Sequence, residues 1–311
     1  AYLYFTGINK DQKAYDQLMA QYEVSLKNRA LSHEVALNDS LTATMYGHNP
    51  RLNPLLIGDL NDLSYDRILQ IAKERTANAA AWCFTIVGNF DENTIRPLIC
   101  QYLGALPAKG KVKKGHRTSF LQKGNVNNTF TRKMETPKST AYMIWYNETM
   151  PYTLENATKA DIAGQVLAMV YLKKIREDAG AAYSCGAQGG AIIGDNYHNV
   201  QFFAYCPMKP EKKEVALNIM RSELPNMAKE VDAAMVDKVK KLMLKQADDS
   251  EKNNAYWLGM VRNYHRFGID MHSDYKKVIE AQTPQSIAAF VSEFLKNQNQ
   301  ITVVMLPEES K

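Results

Sequence analysis

The residues best suited to chemistry lie in one short run, Arg176 to Tyr183, reading Arg-Glu-Asp-Ala-Gly-Ala-Ala-Tyr. Arg176 supplies a permanent cation with several donors in a fixed fork, and Tyr183 supplies one hydroxyl donor on a rigid ring. Set on either side of the Gly180 hinge, such a pair can orient a peptide carbonyl and stabilise negative charge developing on its oxygen. The same spacing also describes a plain junction. An arginine complements the C-terminal dipole of a helix, and a tyrosine packs at the edge of a core where a strand begins. Spacing alone favours the plain reading.

No local motif supplies a group to attack that carbonyl. The six histidines are His33, His48, His116, His198, His265 and His272, and no two are three or four residues apart. The helical zinc spacings H-E-x-x-H and H-x-x-E-H are therefore absent. Ser32-His33-Glu34 has no second histidine near it, so a zinc site would have to be assembled from distant residues. There is no G-x-S-x-G elbow. Gly186, Gly189, Gly190 and Gly194 follow Tyr183 without a helix start directly after them, which argues against a phosphate loop. They suit a strand that another backbone approaches closely.

The elements that must position Arg176 and Tyr183 are readable. A helix is expected from about Glu155 to Glu177, with Ile162, Val166, Val170 and Leu167, Tyr171, Ile175 forming one buried stripe. Alternating runs at 126–134 and 139–146 predict two strands, and runs at 182–193 and 197–206 predict two more, joined at Gly194-Asp195-Asn196. Helices from Glu211 and Ala233 follow.

The chain also repeats itself. In the first block, a helical stretch from Asp11 to about Ala36 leads to a helix carrying TATMYGHNP. LNDLSYDRILQIAKERT, an expected strand WCFTIVGNF and a closing helix before Leu106-Pro107 come next. In the second block, a helix from Ala233 to about Asp249 precedes NNAYWLGMVRNYHRFGID, AQTPQSIAAFVSEFLK and the strand ITVVMLPE. Gly47 answers to Gly268, Ser64 to Pro284 and Thr85 to Thr302, with separations that agree to within a few residues. A repeat this long is a duplicated domain, not a solenoid unit. The expectation is an α+β architecture of antiparallel sheet and grouped helices, with one partial and one complete copy. Residues 1–124 read as the back half of a first domain plus linker, and 125–311 as a complete second domain. The opening AYLYFTGINK, without Met, reads as a processed product or a fragment.

Composition excludes several classes. The chain has 311 residues, 45% apolar and 23% charged, with 38 basic and 33 acidic side chains giving +5. That charge is too mild and dispersed for nucleic-acid binding. The cluster Lys109, Lys111, Lys113, Lys114 and Arg117, interleaved with Gly110 and Gly115, reads as a solvated linker. No apolar run of about 18 residues exists, so no membrane insertion is expected. Cys83, Cys100, Cys185 and Cys206 form no CxxC pair and are expected as buried free thiols, with a Cys185–Cys206 bridge only in an oxidising compartment. Tyr256, Trp257, Tyr264 and Phe267, and Met220, Met227, Met235, Met243 and Met260, have spacings expected of core. His198 is expected at a surface or edge.

The run YLKKIREDAGAAYSCGAQ resembles the C-terminal-half signature of the pitrilysin/insulinase family of zinc metallopeptidases, the inverzincins. FTIVGNFDENTIRPLICQYLGALP is similar to that family's closing strand–helix segment, and LNDLSYDRILQIAKE to the helix before it. TRKMETPKSTAYMIWY resembles the opening strands of the next domain, most closely in bacterial zinc-protease members. The resemblance runs from about Asp11 to Glu308. It implies the non-catalytic, substrate-binding half of a zinc-dependent metalloendopeptidase. The zinc and its H-x-x-E-H would sit in a separate N-terminal half, in the same chain or a partner subunit. Arg176 and Tyr183 match the pair that contacts the peptide near the scissile bond. This chain would hold no catalytic residue and no metal of its own. The alternatives are an inactive family member serving as scaffold or partner subunit, and a free-standing peptide-binding module. The bacterial members point to the periplasm or cell envelope.

Overall fold

A computed structural model of the chain describes residues 1–29, 31–112 and 115–308. They form two compact units, one of residues 1–36 and 54–118, the other of residues 37–53 and 119–311.

The first unit holds α1 (Tyr2–Thr6), α2 (Gln12–Arg29), the start of α3 (His33–Met45), α4 (Tyr65–Thr76) and α5 (Glu92–Tyr102). Side chains satisfy the otherwise unpaired N–H groups that open two of these helices. Ser64 Oγ accepts from the Arg67 amide and Asp91 Oδ1 from the Thr94 amide. Tyr15 stacks on Tyr65 at 4.4 Å between centroids, and Phe5 meets Trp82 edge-on at 5.1 Å. Among the described residues of this unit only Leu106 is buried, while Ile68, Ile71, Trp82, Phe84, Ile86 and Leu98 lie exposed. The strand expected at Trp82–Phe90 is not formed. A strand is held by the ladder bonds of a neighbour, and no described residue supplies one here.

The second unit opens with β1 (Asn125–Arg132), β2 (Ser139–Asn147), α6 (Leu154–Tyr171), β3 (Gly186–Gly194) and β4 (Tyr197–Met208). It continues with α7 (Lys213–Met227), α8 (Ala233–Ser250), α9 (Asn254–Phe267), α10 (Tyr275–Ala281), α11 (Pro284–Lys296) and β5 (Asn299–Pro307). The five strands lie in the order β1-β5-β2-β4-β3, antiparallel except where β1 runs parallel to β5. The fold is α+β, and the four strands expected between 126 and 206 are present. The β3–β4 hairpin turns through Asp195-Asn196, with Gly194 paired to Tyr197.

Alternation on β2 splits the core into two layers. Met143 and Trp145 face the helices and join Ile162, Leu167, Tyr171, Met220 and Phe294. Ile144 and Tyr146 face the other way and pack with Ile301, Val303, Leu37 and Leu41. Phe202 and Phe294 meet edge-on at 4.9 Å. Each such side chain withdrawn from water contributes about 1.5–3 kcal/mol. Asn128 ties β1 to α3 by donating to Ser40 Oγ at 3.0 Å and Thr44 Oγ1 at 2.8 Å.

One contact sets the spacing of the helical layer from the sheet. A Cβ placed on Gly164 of α6 would lie 1.9 Å from the Gly189 amide nitrogen of β3, and one on Gly189 would lie 1.9 Å from the Ala160 carbonyl oxygen. Helix and strand backbones touch there, and only glycine fits on either side.

Several expectations are corrected. The residues of α9 are not core: Tyr264 is 61% exposed, and Tyr256, Trp257 and Phe267 are half-buried. Its aromatics find local partners instead, with Trp257 Nε1 donating to the Glu251 carbonyl at 2.7 Å and Tyr256 Oη 2.7 Å from His272 Nδ1. Met220, Met227 and Met243 are buried, whereas Met235 and Met260 are half-buried. The Ser64–Pro284 match shifts by one, because Ser64 caps α4 and Thr283 caps α11, leaving Pro284 at the first helical position. Gly47 and Gly268 both follow a helix with positive φ, 60° and 68°. Cys83 and Cys100 are exposed, in the unit with little core. Lys109 and Lys111 are exposed, and Lys113 and Lys114 lie outside the described residues. No described helix is long and apolar enough to cross a membrane.

Gly189→Ala is expected to destabilise the second unit by about 1–3 kcal/mol in urea unfolding. Gly190→Ala, whose Cβ would meet nothing within 4 Å, is expected to be nearly neutral. Equal effects would disprove the close approach. Burial pushes the Cys206 thiol up to about 12, with nearby Cys185 adding to it. Because the thiolate is the reacting form, iodoacetamide at pH 8 is expected to label Cys83 and Cys100 first and Cys206 last, read by peptide mass spectrometry.

Candidate functional site

The site is built at the far end of α6. Thr153 caps its start, accepting from the Asn156 amide, and the expected stripe of Ile162, Val166, Leu167 and Tyr171 lies buried. At Leu172 the helix widens into a π-turn that runs to Asp178, in which Ile175 stays buried and Arg176 is thrown outward. Such single-turn widenings re-aim side chains and are frequent at functional sites.

The chain then reverses in a tightly held corner. The Ala179 amide donates to the Lys174 carbonyl at 3.1 Å and the Ala181 amide to the Ile175 carbonyl at 2.8 Å. Gly180 adopts φ +55°, a conformation that disfavours other residues. From the far side, Lys212 Nζ donates to the Ala179 carbonyl at 2.7 Å and the Lys209 amide to the Ala181 carbonyl at 2.9 Å. Ala181 and Ala182 are buried, so the next residue is anchored from below.

That next residue, Tyr183, is 86% exposed. The Arg176 guanidinium carbon lies 5.2 Å from the centre of its ring. The two residues singled out in the sequence are therefore adjacent in space. Cation–ring contact at an exposed site is worth about 0.5–1 kcal/mol, enough to bias both side chains toward one arrangement. The hydroxyl and guanidinium both present donors to the solvent side.

On the same π-turn, Lys174 meets Glu223 of α7 at 2.7 Å, and Asn226 and Ser222 donate longer bonds to the other Glu223 oxygen. Tyr171 donates to the Met220 carbonyl at 2.7 Å. Burial first, and the Glu223 charge second, raise the Tyr171 hydroxyl well above its ordinary value. Burial also raises the Cys185 thiol, while Arg176 acts in the opposite sense. Nothing in the residue pattern pointed to the π-turn or to the Lys174–Glu223 brace. The brace could have been sought only by pairing charges across two helices. His198 sits half-buried on β4 opposite Ile193.

Among the described residues no three His, Cys, Asp or Glu side chains come together to hold a metal ion. No donor set among the described residues fits a zinc centre, and no chemical step is routed through one here.

No curated protein sequence matches the chain. The structure resembles the periplasmic protease PqqL from Escherichia coli, with TM-score 0.80 and 17% identity, over 96% of this chain and 33% of that one. It resembles a mutant of the ferredoxin protease FusC solved in complex with Arabidopsis ferredoxin, with TM-score 0.75 and 14% identity, over 94% of this chain and 32% of that one. It also resembles a peptidase M16 inactive domain from Pseudomonas fluorescens, with TM-score 0.69 and 12% identity, over 97% and 72% of the two chains. The chain thus spans about a third of the first two proteins, and at these identities the likeness is one of fold. The sequence model of the family described as the peptidase M16 inactive domain matches residues 62–243, more than half of the chain. The chain belongs to the peptidase M16 family, as a domain of its inactive type.

Proposed function

We propose that this chain is the substrate-binding, non-catalytic half of a zinc-dependent endopeptidase that degrades peptides. The observation that carries the reading is the stacked, exposed Arg176–Tyr183 pair on its braced corner. A peptide laid across it receives a donor from the Tyr183 hydroxyl at one carbonyl oxygen and from the Arg176 fork at that oxygen or its neighbour. Both donors gain as the oxygen becomes more negative, so they favour the transition state over the bound substrate. The zinc and the attacking water belong to the other half.

In this proposal residues 1–124 are the back part of one domain and 125–311 a whole second domain. The apolar side chains left exposed in the first unit, Trp82, Phe84 and Ile86 among them, are the face that the rest of that domain covers. A bacterial envelope is the compartment we favour, in keeping with the periplasmic protease among the structural relatives. A second reading, an inactive scaffold or partner subunit, is favoured by the family's inactive type.

With the zinc-bearing half restored, Tyr183→Phe is expected to lower kcat of peptide cleavage about 100- to 1,000-fold with little change in KM, an effect of the size seen for single oxyanion donors. Arg176→Ala is expected to raise KM and lower kcat together. Unchanged cleavage in both variants would reject the substrate-contact roles, and unchanged cleavage with lost assembly would favour the scaffold. Arg176→Ala is also expected to move the pH midpoint of Cys185 alkylation upward, because it removes the charge that opposes the effect of burial.

A further inference from the structure

A second concave site lies at the opposite end of α6 from Arg176. It has a volume of about 300 Å³, at the lower end of small-ligand pockets. Its walls are helix faces. Leu154, Thr158 and Asp161 share one face of α6, and Met243 and Ala247 share one face of α8. Tyr256 and Met260 of α9 and Tyr275 of α10 close it. Methionine side chains are soft and adapt to varied apolar shapes. The tyrosine rings offer faces that attract cations.

Asp161 is the one carboxylate among the lining residues, and the lining carries no basic side chain. Its described hydrogen bond is from Gln165 Nε2, at 3.0 Å. Burial raises the Asp161 carboxyl above its ordinary range, with Gln165 opposing. Burial, with the Asp161 charge second, pushes the Tyr275 hydroxyl up to about 12. A half-buried carboxylate without a countercharge is costly, and an apolar pocket around it excludes hydrated metal ions while accepting a carbon skeleton. We infer that this pocket binds a small organic ammonium ion, its apolar body among the methionines and tyrosines and its charge against Asp161. The site is independent of the Arg176–Tyr183 reading.

The test is calorimetric titration of the full chain with 2-phenylethylammonium chloride, with neutral 2-phenylethanol as the matched control. The ammonium ion is expected to bind at least tenfold tighter than the alcohol. Asp161→Asn, which keeps the shape and the Gln165 contact, is expected to erase that difference while leaving alcohol binding unchanged. Met260→Trp, at the half-buried wall on α9, is expected to block both probes. Equal binding of the two probes to the unsubstituted chain, no binding by either, or an Asp161→Asn variant that keeps the preference would each overturn the inference. The Asp161→Asn comparison decides the matter even if Met260→Trp fails to fold.

Discussion

The backbone-to-backbone contact of Gly164 and Gly189 fixes α6 against the sheet at one point, and much else in the second unit is measured from it. Because no side chain separates the two elements there, neither can be padded outward or drawn in by repacking. The helix stays buried through its middle and emerges at both ends. One end, beyond Tyr171, carries the Arg176–Tyr183 pair. The other, from Leu154 to Asp161, lines the methionine pocket. The tight middle makes the two ends accurate, since a close-packed interior transmits position with little slack.

Two carboxylates, Glu223 buried and Asp161 half-buried, show how the same helical layer treats charge. Glu223 is met by Lys174, which reaches across from the π-turn, and by two neighbouring donors on its own helix. Its burial is offset, and the ion pair ties the π-turn to α7. Asp161 has an amide and no cation among the described contacts. A structure that compensates one carboxylate this fully, and leaves the other facing a cavity, treats the two as different kinds of group.

The sequence was most legible where structure is local and periodic. Alternation in VNNTFTRKM and STAYMIWY was enough for β1 and β2, and the three-and-four spacing from Ile162 to Ile175 was enough for α6. It failed where the deciding partner is distant. Trp82–Phe90 has the composition of a strand, but strands require neighbours, and none lies among the described residues. The α9 aromatics have core spacing, yet Trp257 and Tyr256 bond to the turns beside them and leave Tyr264 in water. The glycines after Tyr183 announced a close approach, but not which backbone would make it. Arg176 and Tyr183 stood out by type, but spacing alone ranked them as ordinary. Family likeness raised their standing, and the corner at Gly180 brings them into contact.

The π-turn between Leu172 and Asp178 carries an implication for how this region can change. It arises from accommodating an extra residue in a helical turn, and an α-helix rotates about 100° for each residue it advances. Loss of any one residue there would let the helix resume its ordinary pitch and swing Arg176 to another side of the axis, away from the Tyr183 ring. The aim of the guanidinium is therefore stored in chain length as well as composition. Substitution of the other exposed side chains of this segment leaves that aim in place, whereas an insertion or deletion would sever the pair at once.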